Sequence, residues 1–148
     1  MGYRSDVVQA MQFRDRPHLV GFLTKLKLTG DKFTLDAMNE YEVTELDTGV
    51  VILHGFFEDV KWYETFEDVQ AHIRMLSDAY EHGAHTLYLR IGESTDDIAE
   101  EEMIAEREAA SEFPYALYDC FHIVRHIEPM TDGVSISKYI EENNDESK

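Results

Sequence analysis

The side chains best suited to chemistry in this chain fall in a few short stretches. In YALYDCFHIVRHI (115–127), Cys120, His122 and His126 occupy alternate positions, so an extended strand would turn them to one face. A Cys and two His suggest zinc. However, strand positions two apart are separated by about 6.6–6.8 Å, whereas zinc ligands lie about 2.0–2.3 Å from the metal. A Cys–His nucleophile pair, which needs hydrogen-bond contact, meets the same obstacle. A half-buried face of mixed polarity is the preferred reading, and no metal is assigned. Glu58, Asp59 and Lys61 form an E-D-x-K grouping of the kind used in metal-dependent nuclease chemistry. Alternation puts only Asp59 on one face with Lys61, and a surface ion pair is the commoner origin of such a pair. The sequence contains no Gly-rich phosphate loop, no G-x-S-x-G and no HExxH. The expectation is a protein that is not an enzyme and carries no cofactor.

Two further groups point to binding. Beside Lys61, one of Trp62 and Tyr63 is expected in the core and the other exposed as an interface anchor, core packing being the favoured role. Arg4 and Asp6 flank Ser5 before the first strand and are read as a local polar lock in preference to a contact site. The segment STDDIAEEEMIAEREAASE (94–112) holds Asp96, Asp97, Glu100, Glu101, Glu102, Glu106, Glu108 and Glu112 against the single base Arg107. Ser94 with Asp97 could start a helix, and early acids suit its dipole. As a helix the segment lacks a continuous apolar stripe, so it should stand off from the body or be only partly ordered. Over residues 96–112, at about 1.5 Å per residue, net charge falls near one per 3.6 Å, against roughly 3.4 Å per phosphate along one DNA strand. A solvated charged helix and a nucleic-acid mimic are the two readings.

Charge is the outlying property of the composition: 31 acids against 13 bases give a net charge of −18. The first 35 residues balance at +3, which leaves −21 on the remainder. Such a chain is repelled by nucleic acid and anionic membranes and attracted to basic partners. With one cysteine, no internal disulfide can form, and a reducing compartment fits. No apolar run approaches the roughly 18 residues of a membrane span, and the opening residues do not resemble a signal peptide. The expected location is the cytoplasm.

These groups must be positioned by elements that the patterning predicts. Alternation gives a strand over 5–13, and Asp15 then caps a helix carrying Leu19, Phe22, Leu23 and Leu26 that stops at Gly30. YEVTEL (41–46) and VVILHGFF (50–57) form a hairpin about Asp47-Thr48-Gly49, with Gly55 marking a bulge or a close approach of backbone. Thr65 and Asp68 suggest a capping box for a helix whose stripe is Phe66, Val69, Ile73, Leu76 and Tyr80, closed by Gly83. TLYLRIG (86–92) is a strand, and residues 115–127 are a long last one. This order predicts an α+β, ferredoxin-like βαββαβ sandwich with an extra C-terminal strand and an acidic helical insertion at 94–112. The domain spans residues 1–130, and 131–148 form a polar, partly disordered tail.

GYRSDV (2–7) and EDVKWYETFEDV (58–69) resemble segments of small accessory proteins of tailed bacteriophages. The resemblance implies the task of binding and disabling a host enzyme or immune effector, and no residue roles. The combined expectation is an acidic inhibitor that occupies a basic surface of a host nucleic-acid-handling protein or defence complex, in the host cytoplasm. Its contacts would be the eight acids above with Lys61, Trp62 and Tyr63, without direct binding of nucleic acid or membrane. Alternatives are a small-ligand-binding or sequestering protein, homodimeric or otherwise, and a metal-dependent hydrolase.

Overall fold

The computed structural model describes residues 2–94, 96–105, 115–123, 127–129 and 133–146. The chain is an α+β protein on a six-stranded antiparallel sheet ordered β5-β4-β1-β3-β2-β8. The strands are β1 (Ser5–Phe13), β2 (Glu42–Glu45), β3 (Val51–Val60), β4 (His85–Gly92), β5 (Ile98–Met103) and β8 (Val134–Ser135). A separate two-stranded pair joins β6 (Phe121–Ile123) to β7 (Ile127–Pro129).

The central strand β1 reads VVQAMQF because both its faces are covered. Met11 and Phe13 pack with Val51 and Leu53 against α1 (Arg16–Thr29) and α3 (Glu67–Glu81). Val8 and Ala10, with Ile52, Leu87 and Leu89, pack against Leu117, Cys120 and Phe121. A polar pair anchors this second layer. Gln12 and His85 lie opposite one another on β1 and β4, and both are fully buried. Their side chains accept the backbone N–H groups of Ala116 (2.8 Å) and Ala105 (2.9 Å), fastening both sides of the stretch 106–114 to one place.

Several expectations need correction. The segment 115–127 is not one long strand, because α4 (Leu117–Cys120) precedes β6 and presents Leu117 and Cys120 to the core. The edge-extending C-terminal strand is β8, paired with β2. Beyond it the chain is helical in α5 (Ile136–Glu146), not a frayed tail. Ser135 caps this helix by accepting from Lys138 N–H at 3.2 Å, and Ile136 and Tyr139 join the core. Burial of each such side chain contributes roughly 1.5–3 kcal/mol towards offsetting the conformational entropy lost when the helix orders. An unpredicted helix, α2 (Lys32–Met38), starts where Asp31 accepts from Thr34 N–H at 2.9 Å. On α3 the buried face runs through Val69, His72, Met75 and Ala79, which leaves Phe66 and Ile73 exposed, and Thr65 makes no cap.

Beneath α3, Tyr41 Oη lies 2.8 Å from Gln9 Oε1 and 3.0 Å from His72 Nδ1, so its one hydrogen serves one of them at a time. His72 Nε2 meets the Glu40 carboxylate at 2.9 Å. Phe57 and Trp62 pack on the His72 ring at 4.7 and 5.6 Å. Gly55 stays in register opposite Gln9, so it makes no bulge. A Cβ there would lie 2.8 Å from Phe57 Cζ and 2.9 Å from Tyr41 Cε2. Gly55→Ala should therefore destabilise the fold by about 1–3 kcal/mol through overpacking, read from the denaturant midpoint.

His54, on the other face, is bonded to Thr44 Oγ1 at 2.8 Å and packs against Phe121. Burial pushes its pKa down from 6.5 to about 4, so the folded state refuses a proton that the unfolded chain accepts. The His54 contribution to stability should then be full above pH 6.5, fall as pH drops towards 4, and level off below it. The loss is on the order of 3 kcal/mol, and His72 and His82, also lowered by burial, add to it in the same direction. Urea unfolding across that window should show the fall, diminished in His54→Gln.

Candidate functional site

The acidic stretch enters the sheet through a tight reversal after β4. Gly92 N–H donates to the Asp97 carbonyl at 2.8 Å, and Asp97 N–H to the Ser94 carbonyl at 2.9 Å. Asp97 then holds three donors. Arg90 grips its carboxylate with two nitrogens at 2.7 and 3.0 Å, and the Tyr3 hydroxyl donates to Oδ2 at 2.5 Å. That hydroxyl in turn accepts from Ser94 N–H at 3.1 Å. Gly92 is required here, since a Cβ would collide with the Asp97 carboxylate and the Tyr3 hydroxyl. The Arg90 hydrogen bonds, then that of Tyr3, hold the Asp97 carboxyl at about 2.

From this clasp β5 runs antiparallel to β4, with Ile98 opposite Ile91 and Met103 opposite Thr86. The helical reading of 94–112 is thus corrected over Ile98–Met103, which is an edge strand. Its reason is visible in β4: Leu87, Leu89 and Ile91 need an antiparallel neighbour on their free side, and the clasp supplies one within a few residues. The linear-density comparison with DNA assumed a helical rise and does not hold over β5, where three glutamates in six residues rising about 3.3–3.4 Å each give one charge per roughly 6.6–6.8 Å.

The strand divides its acids between two faces. Glu100 and Glu102 lie opposite Leu89 and Leu87 and share the face covered by α4. Burial, then the Glu102 and Glu100 carboxylates, raise the Tyr118 hydroxyl above its usual range. Glu101, opposite Tyr88, faces the helix side. All three glutamates are exposed, as is Asp96. Ile98, Met103 and Ile104 are 48%, 47% and 50% exposed. Beyond β5 the sheet has no further strand among the described residues.

The other predicted contacts are dispersed. Asp97 is committed to Arg90 and Tyr3. Glu106, Glu108 and Glu112 lie outside the described residues. Trp62 belongs to the core, stacked on Phe57 at 5.7 Å. Tyr63 is half-buried, and its hydroxyl accepts from Tyr3 N–H at 2.6 Å; Lys61 is exposed beside it.

The E-D-x-K geometry fails, because Glu58 and Asp59 form a bulge opposite Asp6 and Asp59 takes φ +54°. Asp6 and Arg4 do make a lock, but on the Asp59 backbone: Asp6 Oδ1 accepts its N–H at 2.8 Å and Arg4 donates to its carbonyl at 3.2 Å. Cys120 ends α4 instead of sharing a strand with His122, and His126 lies outside the described residues. Among the described residues no group of three or more His, Cys, Asp and Glu could hold a metal ion, and no helix is long and apolar enough to cross a membrane.

The residues that sequence reasoning missed are Tyr3 and Arg90. Their signal was an arginine inside the apolar strand LYLRIG with Asp97 seven residues on, a charge that needs a near partner. No protein-family model, curated protein or solved structure matches this chain. Function must be argued from the site itself.

Asp97→Asn keeps the side-chain volume but removes the charge and turns one acceptor oxygen into an amide donor that faces the donors of Arg90 and Tyr3. Amide exchange at Ile98–Met103 should accelerate while β1 and β3 are unchanged. The wild-type carboxyl, followed by NMR, should titrate near 2, so the clasp's contribution is present above 3.8 and lost as pH falls through 2.

Proposed function

We propose that this protein is a non-enzymatic acidic binding protein whose β5 edge docks against a basic surface of another protein. One observation carries this reading: among the described residues, Asp96, Glu100, Glu101 and Glu102 stand exposed at a strand edge with no further strand paired to it, and none of them is in an ion pair. With a net charge of −18 behind it, the edge attracts cationic surfaces over a range that salt shortens. Nucleic acid is repelled by the same field, and the basic groove of a protein that handles nucleic acid is the kind of cationic surface such an edge would fit.

The likeness of GYRSDV and EDVKWY to phage accessory segments supports a host enzyme or defence complex in the cytoplasm as the target. Those two stretches meet in space through Tyr3–Tyr63, Arg4–Asp59 and Asp6–Asp59, a joint that supports the β5 reversal. The strand order β4-β1-β3-β2, with helices between β1 and β2 and between β3 and β4, supports assignment of the core to the ferredoxin-like class.

The test is affinity capture from a bacterial lysate at low and high salt, with Glu100→Gln, Glu101→Gln and Glu102→Gln combined in a parallel variant. The wild type should retain a basic, nucleic-acid-binding protein that elutes with salt and is displaced by duplex DNA. The variant should bind it at least about tenfold more weakly. Salt-insensitive capture, or a variant that binds as well, would contradict the reading.

A further inference from the structure

Resting on that acidic docking reading, we infer that the partner contributes an extended basic segment that adds to β5 as a seventh strand. The carrying observation is the unpaired edge itself. β5 is bonded to β4 on one side, and among the described residues no strand pairs with it on the other. An uncovered edge presents a row of unmet backbone N–H and C=O groups, which is a template for another strand. The opposite edge cannot serve equally, because β8 has only two residues. The β5 edge is also rigidly presented: the Arg90–Asp97–Tyr3 clasp fixes its start, and Ala105 N–H on His85 fixes its end.

The side chains state what the added strand must carry. Cross-strand pairs on one face govern sheet stability, and like charges directly opposite are unfavourable. In antiparallel self-pairing centred on Glu101 the Glu100–Glu102 block would meet itself, so the same residues that recruit a cation oppose pairing with a second copy of this chain. Lys or Arg opposite Glu100, Glu101 and Glu102 would be favourable on both faces. Apolar residues opposite Ile98 and Met103 would cover side chains left about half exposed. Read antiparallel, the complement is apolar, three basic residues, small, apolar. Charge therefore selects the partner, and backbone pairing fixes its register.

The probe is the capped peptide Val-Lys-Arg-Lys-Ala-Val, titrated into the full-length protein and followed by chemical shifts of the β5 amides. Two N-methylated forms distinguish strand addition from simple charge attraction. In an antiparallel ladder alternate residues turn their N–H to the neighbour and the others turn away. Methylation of one alternate set should weaken binding at least about tenfold, and methylation of the other set should change it less than about twofold. If both forms bind alike and salt releases both, strand addition is overturned and the acidic docking reading stands. If no form binds at low salt, both fall. A concentration-dependent dimer in light scattering, with β5 amides protected before peptide is added, would also overturn the inference.

Discussion

The β5 edge depends on one carboxylate. Asp97 receives two nitrogens of Arg90 and the hydroxyl of Tyr3, and this clasp turns the chain after β4 so that β5 falls into register. Register matters more than strength here. A slip of one residue would exchange the faces of every side chain on β5. Glu100 and Glu102 would then leave the α4 face and Glu101 the helix face. Surface ion pairs contribute little alone, but a bidentate guanidinium–carboxylate pair fixes direction as well as distance. Through Tyr3 the clasp also engages the N-terminal strand, which is held in turn by Tyr63 and by the Asp59 backbone.

Behind the edge, the sheet is made rigid by cover on both faces. One face carries α1 and α3 over an apolar cluster, with the Gln9–Tyr41–His72 group set among aromatic rings. The other carries α4 and β6, with residues 105 and 116 hung from the opposed pair His85 and Gln12. Two buried polar side chains of β1, Gln9 and Gln12, take these roles. Gln9 meets Tyr41 from the neighbouring layer, and Gln12 receives the returning backbone. A partner strand at β5 would therefore meet a platform that has little freedom to adjust.

The legible parts of this fold were those governed by local pattern. β1, the cap at Asp15, the hairpin about Gly49 and the left-handed Gly83 all followed from alternation, capping and glycine conformation. Elements set by tertiary demand were read less well. IAEEEM has the composition of a solvated helix, yet the free side of β4 recruits it as a strand. ISKYI was too short a stripe to outweigh the polar residues after it, although Ser135 and the spacing of Ile136, Tyr139 and Ile140 were helix signals. The apolar residues on both faces of β1 and β3 signalled a second covering layer, which a two-layer sandwich does not need. At the site, Asp96, Glu100, Glu101 and Glu102 are exposed, and Trp62 takes the core place expected for one of the Trp62–Tyr63 pair, whereas Asp97 has partners in Arg90 and Tyr3 that the linear sequence did not reveal.

Docking at this edge requires Ile98–Met103 to be an edge strand paired with β4 and not a free helix. Backbone NOE spectroscopy of the unliganded protein tests this directly. The account predicts cross-strand contacts between Leu89 and Glu100 and between Arg90 and Ala99, with extended chemical shifts over Ile98–Met103. Contacts between residues three apart within that stretch, with helical shifts and no contact to β4, would contradict it.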